Sequence, residues 1–185
     1  ASNSESSSAN YGGLSTWLTS ATFSDYKILK DGNVVYSAPF DGTSNWTDNA
    51  GTFSESGGTL TQSSTSMEGL LYVNKNIDLG ENYTIQVKAT KTGGAEGFLI
   101  AFGYKDSKNY CWWNLGGWGN TRFCIERAIN GTKSQYDNIY RSLATGVTYD
   151  LRIEVRGNHI KCYIDDELCH DTSRSEERRV GKECR

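Results

Sequence analysis

Two stretches of strict alternation constrain this chain most. Tyr83, Ile85, Val87 and Ala89 alternate with Thr84, Gln86, Lys88 and Thr90, and Tyr149, Leu151, Ile153 and Val155 alternate with Asp150, Arg152, Glu154 and Arg156. Successive side chains of a strand point to opposite faces, so this period of two describes strands with one apolar and one solvated face. Such half-buried strands belong to antiparallel sheets. Further strands are predicted at Tyr26–Leu29, Val34–Ser37, Thr52–Ser54, Thr59–Gln62, Leu70–Val73, Gly97–Tyr104, Tyr110–Leu115, Phe123–Ile129 and Ile160–Ile164. Turn signals separate most of them: Asp31-Gly32-Asn33, Gly57-Gly58, Gly93-Gly94 and Asn130-Gly131.

Many short strands, no amphipathic helix and no fixed repeat predict an all-β fold: two antiparallel sheets packed face to face, with a jelly roll as the natural candidate. Gly97–Tyr104 is apolar on both faces, as a central sandwich strand should be. Its eight residues fall far short of the roughly 20 needed to cross a bilayer as a helix, so no membrane partner is expected. The 19 basic and 22 acidic side chains are scattered along the chain, net charge −3, which disfavours nucleic acid as a partner.

The two ends read differently from the middle. Residues 1–22 are assigned to a linker or the end of a preceding module, 23–172 to the sandwich and 173–185 to a non-native tail. The chain starts Ala-Ser-Asn, without an initiator Met or a signal peptide, so its true start is expected upstream. Residues 174–185, RSEERRVGKECR, resemble one reading frame of an adapter used in short-read DNA sequencing, and without them the net charge is −5. Four cysteines then remain, Cys111, Cys124, Cys162 and Cys169, which allow three pairings. If Asp165 and Asp166 form a two-residue hairpin loop, Ile164 faces Glu167, Tyr163 faces Leu168 and Cys162 faces Cys169. That pair is either a disulfide or, the favoured reading, two free thiols packed as small hydrophobes. No CxxC pattern suggests zinc.

Asn109–Arg127, NYCWWNLGGWGNTRFCIER, holds three of the five tryptophans. On a strand Trp112 and Asn114 share one face, and Cys111, Trp113 and Leu115 share the other, so one tryptophan can be core and its neighbour exposed. Phe123 and Ile125 then join the core, leaving Arg122, Cys124 and Glu126 on the Trp112 side, while Gly116, Gly117 and Gly119 give a connection mobile enough to display Trp118. A flat aromatic ring ringed by amide, guanidinium and carboxylate groups suits a sugar: the ring covers the C–H face and the polar groups read the hydroxyls. Trp112, Asn114, Trp118, Asn120, Arg122 and Glu126 are the candidate carbohydrate-binding residues. The competing reading packs the tryptophans as core and leaves the polar groups as ordinary surface.

KTGGAEGFLIAFGY (Lys91–Tyr104), YCWWNLGGWGNTRFCIE (Tyr110–Glu126) and IEVRGNHIKCYIDDELCHD (Ile153–Asp171) resemble the concanavalin-like, laminin-G-type β-sandwich of glycoside hydrolase family 51 α-L-arabinofuranosidases. The resemblance covers about Tyr11 to Asp171. It implies a non-catalytic accessory module of a longer enzyme, accompanied by a TIM-barrel catalytic domain of the same parent chain. The implied partner is an arabinose-containing plant polysaccharide, and the implied compartment is extracellular or periplasmic. The opening GGLSTWLTSATFSDYKILKDGNVVYSAPF resembles a junction between two such sandwiches, so another module is expected upstream. Alternatives are a structural or protein-binding laminin-G-like domain without sugar affinity, and a concanavalin-like glycosidase active by itself.

The last alternative needs two carboxyl groups flanking a glycosidic bond, about 5 to 9.5 Å apart depending on stereochemistry. Glu96, Glu126, Glu154 and Asp150 are the available acids, and no convincing pair forms among them; Glu154 is expected on a solvent face. His159 and His170 flank a hairpin and are expected at the surface, which leaves no nucleophilic triad. No cofactor is expected. Laminin-G-type sandwiches often carry Ca2+, and the Asp-rich turns at Asp31, Asp41 and Asp165–Glu167 are the places for it, although no full ligand set can be traced.

Overall fold

The computed structural model describes residues 9–48 and 52–173. Its strands are β1 (Tyr11–Trp17), β2 (Thr19–Lys30), β3 (Asn33–Ser37), β4 (Thr47–Asp48), β5 (Phe53–Ser56), β6 (Thr59–Gln62), β7 (Glu68–Asn74) and β8 (Asn82–Gly94). They continue as β9 (Phe98–Asp106), β10 (Asn109–Gly116), β11 (Arg122–Ile129), β12 (Thr132–Tyr140), β13 (Thr148–Arg156), β14 (His159–Ile164) and β15 (Glu167–Ser173). A seven-stranded sheet has the order β12-β11-β10-β9-β1-β7-β4, and an eight-stranded sheet has the order β15-β14-β13-β8-β2-β6-β5, with β3 also on β2. The two antiparallel sheets pack as a sandwich, the class that the alternation predicts.

The core lies between them. The inward residues of the alternating strands, Ile85, Val87, Leu151 and Ile153, meet Phe98, Ile100, Phe102, Trp113, Phe123 and Ile125 of the seven-stranded sheet. β9 occupies the centre of its sheet, and its outward Leu99 and Ala101 are as buried as its inward residues. That accounts for its two apolar faces.

Residues 11–22, placed before the sandwich by the sequence reading, lie inside it. β1 pairs with β7 on one side and β9 on the other, and β2 pairs with β6 and β8. The chain crosses between the sheets at Leu18, whose φ of 48° is left-handed, and Leu18 N donates to Met67 O at 2.8 Å. The return crossing, from β8 to β9, passes Gly97, where a Cβ would stand 1.8 Å from the Leu115 carbonyl oxygen, so only glycine fits. Residues 1–8 and the 174–185 tail, with Cys184, lie outside the described residues.

The Asp165-Asp166 loop forms the predicted hairpin, with Ile164 opposite Glu167 and Tyr163 opposite Leu168. The next pair is Cys162 with His170, because Cys169 is the extra residue of a bulge. Cys162 therefore does not face Cys169, and none of the four described cysteines is in a disulfide. The bulge also turns His170 inward: it is 1% exposed, not a surface residue as expected, and its ring meets Trp113 edge-on at 5.8 Å.

Candidate functional site

The face of the seven-stranded sheet that looks away from the core carries a second apolar cluster of Leu71, Val73, Leu99, Ala101 and Trp112, roofed by Tyr11, Trp17, Tyr104 and Tyr110. The pairings build it. Trp112 lies opposite Ala101 on β9 and Glu126 on β11, and Asn114 lies opposite Leu99 and Cys124. Centroid separations of 6.3 Å from Tyr104 to Tyr110, 4.9 Å from Tyr110 to Trp112 and 6.4 Å from Trp112 to Trp17 form a continuous aromatic row. Gly69, at φ 65°, makes room for it: a Cβ there would come within 3.2 Å of the Trp17 ring.

At the centre of the face Glu126 is only 5% exposed. Its Oε1 accepts from Trp112 Nε1 at 2.9 Å and from Asn114 Nδ2 at 3.0 Å, and its Oε2 accepts from Gln135 Nε2 at 3.2 Å. Three neutral donors thus hold a buried carboxyl, which satisfies the requirement that buried polar groups be paired. The predicted grouping of Trp112, Asn114 and Glu126 is present, with one correction. Trp112 is 4% exposed, a roofed member of the outer cluster with its ring nitrogen turned to Glu126, and not an exposed platform. Trp113 is core at 0% exposure. Cys124, also buried on this face, has its thiol pushed up to about 12, first by burial and then by the nearby Glu126 charge.

Trp118, Asn120 and Arg122 form a separate group in the β10–β11 connection. Trp118 is 37% exposed, and the Arg122 guanidinium lies over it, 4.3 Å from the ring centroid. Display here comes from a fixed backbone and not from slack. Trp118 and Asn120 are left-handed at φ 52° and 63°, Thr121 Oγ1 donates to Trp118 O at 2.7 Å, and Gly119 N donates to Glu96 Oε2 at 3.2 Å. Both polar atoms of Asn120 are taken by Leu143: Nδ2 donates to its carbonyl at 2.9 Å and Oδ1 accepts from its N–H at 2.8 Å. The side chain of Asn120 anchors the turn.

Trp17, Lys133 and Gln135 escape sequence reasoning, although all three belong to the face. Trp17 sits in the segment read as linker, and Lys133 and Gln135 sit on β12, for which no strand is predicted. Lys133 Nζ stands 5.2 Å from the Trp112 centroid and 5.5 Å from that of Trp17. Parity on β11 was the available signal, since it points Glu126 toward whatever strand pairs beside it.

The remaining acids are dispersed. Asp150 pairs with Lys88 at 3.0 Å and Glu154 with Arg152 at 3.0 Å, both on the outer face of the eight-stranded sheet, so the whole sandwich separates them from Glu126. Glu154 lies on a solvent face as expected. Asp41 is hydrogen-bonded to Thr43, Asp165 to the Asp150 N–H and Asp166 to Arg152. Among the described residues no three His, Cys, Asp or Glu side chains are grouped to hold a metal ion. No described helix is long and apolar enough to cross a membrane. A separate cleft of about 600 Å3, lined by Asn10, Asp78, Glu81, Lys105, Arg127 and Asn158 among others, opens at the opposite end of β10 from Trp118 and contains none of the six candidates.

Over 156 residues the chain is 41% identical to an extracellular exo-α-L-arabinofuranosidase of Streptomyces chartreusis. The match takes in 83% of this chain and 19% of the length of that protein. No protein family model matches the chain. No solved structure matches it.

Proposed function

We propose that this sandwich is a non-catalytic, carbohydrate-binding module of a longer, extracellular α-L-arabinofuranosidase, and that its ligand is an arabinose-containing plant polysaccharide. The observation that carries the reading is the outer face of the seven-stranded sheet, where a row of aromatic rings borders a buried carboxyl held by amide and indole donors. The half-buried rings of Tyr11, Trp17, Tyr104 and Tyr110 are the part of this cluster that a ligand can reach. Sugar hydroxyls need what this face offers: an apolar ring to lie on and hydrogen-bonding groups at its edge, the exposed Gln135 side chain among them. The name of the Streptomyces relative supplies the enzyme class, and its much greater length supplies room for a catalytic domain elsewhere in the parent protein. Hydrolysis is assigned to that domain, because Asp150 and Glu154 lie on the opposite face of the sandwich from Glu126.

A second reading, a structural sandwich whose face is covered by a neighbouring module, is favoured by the burial of Trp112. Affinity electrophoresis through gels containing arabinan, arabinoxylan or no polysaccharide separates the two. Sugar binding requires retardation that is lost in Trp118→Ala and weakened in Trp17→Ala. Unretarded migration of the parent chain in both polysaccharides leaves the structural reading.

A further inference from the structure

The two partly exposed indoles, Trp17 on the face and Trp118 in the β10–β11 connection, each carry a cation. Lys133 Nζ occupies the corner between two indoles set at 87°, those of Trp17 and Trp112, and Arg122 lies over Trp118. Among the described residues neither cation has a salt-bridge partner. Glu126 is turned toward neutral donors, and Glu68, the register partner of Trp17, is exposed without an ion pair to Lys133. A cation held by ring faces keeps its charge available to a ligand, whereas one neutralised by a protein carboxylate does not.

We infer that Lys133 makes this face selective for sugars bearing a carboxylate, that is, for uronate units within an otherwise neutral polysaccharide. The inference rests on the sugar-binding reading and names the class of sugar. The exposed edge of the Trp17 ring covers the C–H face of the sugar, and the ammonium beside it takes the carboxylate. Sparse substitution is required, because a chain of net charge −3 repels a densely charged polyanion while one local cation attracts a single carboxylate. Lys133 is exposed on the edge strand β12, so the ammonium can swing off the rings toward an incoming acid without disturbing the core.

The test is affinity electrophoresis of the full chain in arabinoxylan bearing glucuronic acid side groups, beside the same polymer with its carboxyls reduced to alcohols. The acidic polymer should bind about threefold more tightly, the scale of an exposed ion pair, and added salt should remove the difference. K133Q should bind both polymers equally. Equal retardation of the parent chain by both polymers overturns the uronate preference and leaves sugar binding intact. A preference that survives in K133Q overturns the role of Lys133. Retardation by neither polymer overturns this inference together with the sugar-binding reading.

Discussion

His170 Nδ1 lies 3.1 Å from Asp137 Oδ2, and that bond joins β15, the edge of one sheet, to β12, the edge of the other. The open side of the sandwich is tied at this point. The other ring nitrogen, Nε2, is buried with no hydrogen-bond partner, and the ring meets that of Trp113 edge-on. Burial lowers the His170 pKa from its usual value, against the opposing pull of Asp137, because an imidazolium here would bury a second N–H without an acceptor.

The pH dependence of stability follows in sign. The unfolded chain takes up the His170 proton near the ordinary value of about 6.5, while the folded chain takes it up only at lower pH. Stability from this residue is complete above about 6.5 and lost as pH falls through the folded-state value, by at most about 1.4 kcal/mol per pH unit for one proton. Thermal unfolding from pH 7.5 to 5 should show that slope in the parent chain and a shallower one in His170→Gln. Equal slopes would remove His170 as the cause.

The Glu126 cluster predicts a measurable coupling. Glu126→Ala leaves the Trp112, Asn114 and Gln135 donors without their acceptor, two of them on buried or half-buried groups, and should lower unfolding stability by about 3 kcal/mol. Glu126→Gln keeps the shape and one acceptor oxygen and should cost about 1 kcal/mol. In a double-mutant cycle with Trp112→Phe, urea denaturation should return a coupling of about 1 kcal/mol, and additive effects would mean that the Nε1 to Oε1 bond contributes nothing.

The strands legible in the sequence are those whose two faces differ in polarity. Tyr83–Ala89 and Tyr149–Val155 each pack one face on the core and present the other to solvent, so alternation survives. β1 is invisible for the opposite reason. It is buried on both faces, and its inward Gly12 must stay small because a Cβ would stand 2.3 Å from the Tyr26 hydroxyl. β12 is an exposed edge strand, and its bulge puts the core-contacting Tyr136 and Ile139 three residues apart, which breaks the period of two. Parity alone grouped Trp112, Asn114 and Glu126. Trp17 and Lys133 reach them only through the sheet order β12-β11-β10-β9-β1, which is a tertiary fact.

The buried thiols should be inert. Burial pushes Cys169 up to about 11 against the opposing Arg141, pushes Cys124 up to about 12, and raises Cys162 well above the usual thiol range. The thiolate is the reactive form, so each is protonated at pH 8. In a Cys184→Ser variant, disulfide-exchange labelling at pH 8 should be slow, with Cys169 first because it alone of the four is partly exposed. Denaturant should release all four. A rapid burst of several thiols from the native chain would contradict this packing.

The two hydrogen bonds from Asn120 to Leu143 separate anchoring from ligand contact in the Trp118 turn. Asn120 combines a left-handed φ of 63° with a side chain that is fully engaged within the protein. Asn120→Gly keeps the backbone accessible and removes the two bonds, a loss of about 1 kcal/mol on balance. Asn120→Ala adds the strain of a Cβ in the left-handed region and should lose about 2 kcal/mol. Neither change removes a group that is free to touch a sugar, so at a temperature where both variants are folded they should retain polysaccharide retardation. Trp118→Ala changes stability by less than about 1 kcal/mol, since its ring is partly exposed and stacks on Arg122 alone among the described aromatic and cationic contacts, yet it should abolish retardation. Loss of retardation in Asn120→Gly, with the fold intact, would return Asn120 to the ligand-contacting residues.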